Sequence, residues 1–402
     1  MGLGRNYRWL WSAGVTSNLA DGVYGVTLPL LAIRLTDAPA EVAAVRIATS
    51  LPWLLLALHA GALADRLDRR ALMRGVSLAR ALGLGLLAWA VAAGAVTLPL
   101  LYAVAFVVAA AEVVFDTSAQ SLLPAVVDRD RLAAANGRLY AAEITAGELA
   151  GPPLGGALVG LSAALALLGG AGAYVVVALL LTGMGGAYRP GRTGTSSVWA
   201  DVREGLAYLL GHRLLLTLAV LTGAVNMLWY MWLAVFVLYA VDPGPMGLSE
   251  LGYGLIFTGS AAGGVVGTLL VERLDRRVGR LPLLTASLVG WALFEVGPAL
   301  TASAWVVGGL VGVGSVGGIM WGVAVVSLRQ RIVPDELLGR VNAAYRLISW
   351  GALPLGALIG GLLGEVIGLR PLFGLTAAAT LALIVPLRLT VTEAAIADAE
   401  DS

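Results

Sequence analysis

Long apolar stretches separated by short polar breaks run almost the whole length of the chain. They predict spans at about 9–33, 40–63, 75–96, 99–122, 137–160, 163–187, 214–240, 251–271, 281–302, 304–327, 341–364 and 371–388. A hydrocarbon layer roughly 30 Å thick needs about 20 apolar residues per helical crossing, so twelve helices account for the pattern. The runs are continuous, whereas barrel strands alternate over roughly ten residues, which excludes a β-barrel. The expected fold is an all-α membrane protein. The first run is too long for a secretory signal and has no small-residue cleavage site, so it reads as a retained span.

The polar breaks carry a second pattern. Arg5 and Arg8 precede the first span, and arginines cluster again after spans 2, 4, 6, 8 and 10, while the opposite connections are almost free of them apart from Arg34, Arg46 and Arg370. Cytoplasmic loops of membrane proteins concentrate basic residues, so both termini are expected in the cytoplasm. The string Arg66-Leu67-Asp68-Arg69-Arg70, preceded by Asp65, recurs as Arg273-Leu274-Asp275-Arg276-Arg277, preceded by Glu272. Both copies are expected to be cytoplasmic loops. Val127-Asp128 through Leu132 to Asn136 lines up in the same way with Val333-Pro334 through Leu338 to Asn342. Two matches at nearly one offset predict two six-helix halves in parallel orientation. The expected domains are an N-terminal half at 1–187, an interhalf linker at 188–212, a C-terminal half at 213–388 and a polar cytoplasmic tail at 389–402.

Composition sharpens this picture. Hydrophobic residues make up 59%, charged residues 13% and mean hydropathy is +0.87, values suited to lipid as the solvent. Net charge is +1, with every basic side chain an arginine. The absence of cysteine rules out disulfides and thiolate metal sites. No phosphate-binding loop, Gly-x-Ser-x-Gly elbow or paired-His spacing occurs, and the His59 to Asp65 spacing does not suit acyl transfer. No metal, cofactor or nucleic-acid partner is expected, and the chain is read as a monomer in the bilayer.

Two motifs carry a family resemblance. Gly61-Ala62-Leu63-Ala64-Asp65-Arg66-Leu67-Asp68-Arg69-Arg70 resembles the loop motif of the major facilitator superfamily, with Asp68 in place of its second glycine. Gly147, Gly151, Pro152, Gly155 and Gly156 match the span 5 motif of the drug:proton antiporter branch. Glycines four apart let helix backbones approach, and Pro152 permits a bend; pairs such as Gly259/Gly263 and Gly356/Gly360 say little in a chain with 53 glycines. The Leu-Pro-Ala-Val-Val stretch with Leu132 and Asn136, and the run Glu204 to Arg213, resemble the macrolide-efflux and enterobactin-exporter subgroup. The resemblance implies the major facilitator fold, with Gly61, Asp65, Arg66, Arg69 and Arg70 and their counterparts Glu272, Arg273, Asp275, Arg276 and Arg277 as gating hardware. Span 4 lacks the basic motif of many antiporters in this branch, so the arginine that the resemblance assigns to proton transfer has no counterpart there.

Ionisable groups at membrane depth are costly and are functional candidates for that reason. Asp21 lies near the middle of span 1. Glu112 and Asp116 share one face of span 4, and Glu143 and Glu148 lie in span 5. Desolvated carboxylates beside like charges suit proton uptake and release. Arg80 is read either as part of this set or as a structural partner of Asp116 or Glu143. Glu295 is expected to be a buried, hydrogen-bonded or protonated carboxyl group, and His59 a packed or interfacial histidine. In the family architecture spans 1, 4, 7 and 10 line the cavity, so Asp21 and Asp116 fall near substrate and proton, and Asn226, Trp229, Tyr230 and Trp232 of span 7 become cavity candidates. The expected function is proton-coupled export of a hydrophobic or amphiphilic small molecule across the cytoplasmic membrane. A siderophore or lysolipid exporter of the same fold, or a membrane-embedded enzyme, is the alternative.

Overall fold

The computed structural model describes residues 4–64, 66–189, 198–392 and 395. Its helices are α1 Arg5–Ala32, α2 Pro39–Ala64, α3 Arg69–Ala92, α4 Leu98–Val126, α5 Leu132–Ala142, a π-helical stretch Glu143–Ala150, α6 Gly151–Leu161 and α7 Ala163–Thr182. After these come α8 Val198–Gly211, α9 Arg213–Ala240, α10 Glu250–Val278, α11 Arg280–Leu300, α12 Ala304–Ile332, α13 Asp335–Ile367, α14 Leu369–Ala382 and α15 Ile384–Thr390. Ten of the helical segments are long and apolar enough to cross a membrane. The more polar α1 and the continuous α5–π–α6 rod bring the membrane segments among the described residues to twelve. Helices are what the solvent demands, because lipid offers no partner to a free backbone N–H or carbonyl.

The chain divides into two compact units, the first within residues 1–37, 44–194 and 248–258, the second within 38–43, 195–247 and 259–402. In the first unit α1 packs against α4, α7 and the α5–π–α6 rod, and α3 against α4 and α7. In the second, α9 packs on α13, and α11 on α12 and α14. Large apolar side chains such as Leu82, Trp89 and Trp305 point away from these cores, as lipid-facing positions should.

Three local features depart from the sequence reading. The second copy of the charged string is not a loop: Glu272 to Arg277 continue α10, and the break comes at Gly279, whose φ of 83° starts α11. No glycine or proline stands between Glu272 and Gly279, and Glu272 pairs with Arg276 one turn on at 2.9 Å, which favours the helix. In the first copy Asp68 ends the loop by accepting from the Ala71 N–H at 2.9 Å, an N-cap for α3. The stretch read as linker contains α8, which docks on α13 where Gly205 meets the Arg340 carbonyl and Glu204 pairs with Arg340 at 2.8 Å. The fifth span includes a π-helical interior. Pro152 and Pro153 remove the N–H groups that would bond the Glu148 and Leu149 carbonyls, and the Leu149 carbonyl instead accepts from the Thr258 hydroxyl at 3.0 Å.

Candidate functional site

The centre of the first unit is built around one arginine. Arg80 of α3 has 0% side-chain exposure and lies in the apolar interior. Its Nη2 donates to Oδ1 of Asp21 on α1, and the same nitrogen lies 3.7 Å from Oε2 of Glu112 on α4. Nη1 donates to the Ser17 hydroxyl at 3.1 Å. The guanidinium stacks on the Tyr174 ring of α7, Cζ 4.0 Å from the ring centre, and the Tyr174 hydroxyl donates to Asp21 Oδ1 at 2.6 Å. Ser17 closes the network by donating to Asp21 Oδ2 at 3.3 Å. Four helices thus converge on one charge. A buried ion pair is tolerated when its geometry and extra hydrogen bonds offset desolvation, and that condition is met here.

Asp21, Glu112 and Arg80 are brought together as one cluster. The carboxylates within ion-pair distance of Arg80, among the described residues, are Asp21 and Glu112, so the alternative pairing with Asp116 or Glu143 raised from sequence is not the one formed. The Arg80 side chain reaches from α3 to α1, where Ser17 and Asp21 stand one helical turn apart and both meet its guanidinium. Asp116 stands a turn further along α4 and acts on Arg80 through space. Glu143 and Glu148 lie on the exposed side of the π-helical stretch, away from Arg80 contact. Tyr174 and Ser17 were missed because a tyrosine and a serine in apolar helices give no signal until a charge is placed beside them.

The span 5 motif forms a seam with α1. A Cβ on Gly22 would strike the Gly147 carbonyl and come within 2.8 Å of the Gly151 Cα; one on Gly155 would come within 2.8 Å of the Val23 carbonyl. Gly156 faces the Glu250 carbonyl in the same unit, and Gly254 the Pro152 carbonyl. The second unit repeats the device where the sequence carried little information: Gly356 abuts the Met227 backbone and Gly360 the Met231 backbone, and a Cβ on Gly223 would come within 3.2 Å of the Ile348 carbonyl. Gly259, by contrast, has open space.

The span 7 candidates separate. Trp232 is 0% exposed, stacked on Phe236 at 4.0 Å and edge-on to Phe294 at 4.9 Å, with its Nε1 donating to the Glu295 carbonyl at 3.0 Å. It is a core side chain of the second unit, not a lining one. Asn226 donates to the Ser349 carbonyl at 2.8 Å and ties α9 to α13. Trp229 and Tyr230 are half-buried, with ring centres 5.1 Å apart. Glu295 is fully buried and accepts from the Thr380 hydroxyl at 2.7 Å. His59 is exposed on α2.

Asp65, the acidic residue of the first charged string, lies outside the described residues. Around it, Arg69 donates to the carbonyls of Ala64 at 3.1 Å and Ser121 at 2.7 Å, and Arg70 donates to the Met184 carbonyl. Arg66 is exposed, and Gly61 has open space. Asp68 accepts from the Tyr188 N–H at 2.9 Å as well as from Ala71, so the residue that departs from the family glycine clamps α3 to the chain beyond α7. Burial alone would push the Asp68 carboxyl up, but the N–H groups of Tyr188 and Ala71 and the nearby Arg70 and Arg189 outweigh it and hold the group below its usual range. In the second copy Asp275 takes a two-pronged bond from Arg280, at 2.7 and 2.9 Å, and Arg280 also reaches the Ala324 carbonyl. Arg273, Arg276 and Arg277 are exposed.

Residues 4–402 match the family described as transmembrane secretion effector. The chain belongs to that family. Within the major facilitator superfamily, this transmembrane secretion effector is 27% identical over 382 residues to the multidrug efflux pump Tap of Mycolicibacterium fortuitum, covering 90% of each chain. It is 28% identical over 370 residues to the pump of the same name in Mycobacterium tuberculosis, covering 88% of this chain and 85% of that one. A bacterial homologue of the iron transporter ferroportin shares the fold with a TM-score of 0.77 at 20% identity, covering 98% of this chain and 100% of the other. The nucleoside transporter NupG superposes with a TM-score of 0.79 at 13% identity, covering 96% and 100%. The superfamily read from the two motifs is the one the chain belongs to. It is a multi-pass membrane transporter of small molecules.

Proposed function

We propose that this transporter exports a hydrophobic or amphiphilic small molecule of the drug or antibiotic class from the cytoplasm in exchange for protons. Both termini and the arginine-rich connections lie on the cytoplasmic side, and the Arg80 cluster is the coupling centre. The observation that carries the reading is the buried Arg80 shared between Asp21 and Glu112. A charge at that depth persists only with a counter-charge, so protonating one carboxylate redistributes the whole cluster. Alternating access then converts the redistribution into vectorial movement. The efflux pumps similar along nine-tenths of the chain support the substrate class. Asp116, Glu143 and Glu148 belong to the same acidic half of the molecule and are read as stations between the cluster and the cytoplasm. Trp229, Tyr230 and Asn226 are read as contributors to the substrate path, and the Gly61–Arg70 segment with its Glu272–Arg277 counterpart as the gate.

The test is uptake of a lipophilic cationic dye such as ethidium into inverted vesicles energised by an imposed proton gradient. Uptake should collapse with a protonophore and be lost in Asp21→Asn. Dye uptake indifferent to the protonophore would overturn proton coupling.

A further inference from the structure

Resting on the reading of the Arg80 cluster as the coupling centre, we propose that Tyr174 is its positioning residue and that Glu112 receives Arg80 when Asp21 takes a proton. The two oxygens of Asp21 are not equivalent. Oδ1 accepts from both Arg80 Nη2 and the Tyr174 hydroxyl, whereas among the described residues Oδ2 accepts only from Ser17, at 3.3 Å. Oδ2 is therefore where the proton adds. Ser17 can accommodate it: its oxygen already accepts from Arg80 Nη1, and its second lone pair accepts from the new O–H once the serine hydroxyl turns away. The proton comes from the aqueous side, no bond between heavy atoms forms or breaks, and the return step releases the same proton.

Neutralising Asp21 removes its charge attraction for Arg80 and leaves the guanidinium in need of another anion. Glu112 Oε2 is already 3.7 Å from Nη2, inside ion-pair distance but beyond a hydrogen bond. Because the guanidinium carbon of Arg80 sits over the Tyr174 ring, 4.0 Å from its centre, the easy motion is a slide across the ring face from Asp21 towards Glu112, with the cation–π contact kept throughout. Tyr174 thus holds the starting position through its hydroxyl and guides the shift with its ring. The other charged or titratable groups around Asp21 do not touch both partners: Tyr24 on α1 and Asp116 on α4 act through space, as does Glu143 of the π-helical stretch on Glu112 and Asp116, and Arg46 of α2 acts on Tyr24.

The proposal is tested without a transport substrate. Infrared difference spectra of the purified full-length protein, recorded across pH, report the C=O band of a protonated carboxyl group. The wild-type spectra should contain a pH-dependent component that is missing from the Asp21→Asn spectra, while bands of other carboxyl groups such as Glu295 remain in both. In Tyr174→Phe, which keeps the ring, and in Ser17→Ala the Asp21 component should remain with its midpoint displaced by about one pH unit, the size of a hydrogen bond to a charged group. A midpoint unmoved in both variants overturns the positioning role while leaving the coupling centre intact. Wild-type and Asp21→Asn spectra with the same pH-dependent C=O components overturn the coupling reading itself. The transfer to Glu112 is read from thermal melting. The double change Asp21→Asn with Glu112→Gln leaves Arg80 with neither anion and should lower the melting temperature by more than the two single changes combined, and additive effects overturn the transfer.

Discussion

Arg80 and Asp68 show how a single side chain can be decided by its surroundings. Removing Arg80 as Arg80→Leu leaves the half-buried Asp21 and Glu112 without a cation, and a loss of up to about 3–5 kcal/mol is expected, read as a drop in melting temperature in detergent. Asp68 acts at the aqueous end. Asp68→Ala removes an N-cap and the bond to Tyr188 and should cost about 1–2 kcal/mol, while Asp68→Asn, which still caps, should cost less. Because the folded protein holds this carboxyl below its usual range, its contribution is fully present above about pH 4 and is lost as pH falls through the lowered value. The wild-type advantage over Asp68→Ala should therefore shrink on acidification in pH-dependent melts. An advantage that is flat down to strongly acidic pH would contradict this account.

At the scale of elements, the seams between helices depend on absent side chains. Gly22 meets the Gly147 carbonyl, and Gly356 meets the Met227 carbonyl, so Gly22→Ala and Gly356→Ala force backbones apart. Both should lower melting temperature and expression. Gly172 in α7 and Gly259 in α10 have no atom within reach of an added Cβ. Alanine there should be neutral or raise stability by up to about 1 kcal/mol, since glycine is a poor helix former. Melting of the four alanine variants side by side checks the contrast. The sequence motif pointed to one seam, because a dense Gly-Pro pattern is recognisable. The second was not legible: whether Gly356 or Gly259 is crowded depends on which helix lies across it.

For the whole molecule, orientation is the property most directly open to measurement. The chain has no cysteine, so a single introduced thiol reports its own accessibility. Arg66→Cys should react with an impermeant maleimide only after cells are permeabilised, and Ala95→Cys, at the other end of α3, should react in intact cells. The reverse pattern would place the termini outside and turn export into import. The duplicated string was legible as a repeat, yet its copies differ in structure, a capped loop in one case and a continued helix in the other. The difference lies in the partners Asp68 and Asp275 find: the Ala71 and Tyr188 N–H groups for the first, Arg280 for the second.

The sequence by itself determined what depends on solvent and chain length: twelve apolar segments, an even count and the membership of a transporter superfamily. Lipid forces each long apolar run into a helix whatever its neighbours, so those properties survive without knowledge of packing. Only the tertiary structure decided which carboxylate holds Arg80, that Tyr174 and Ser17 complete its site, and that Trp232 fills a core. These outcomes depend on how adjacent helices are rotated and at what depth they cross. That information is spread over many weak contacts between residues distant in the chain.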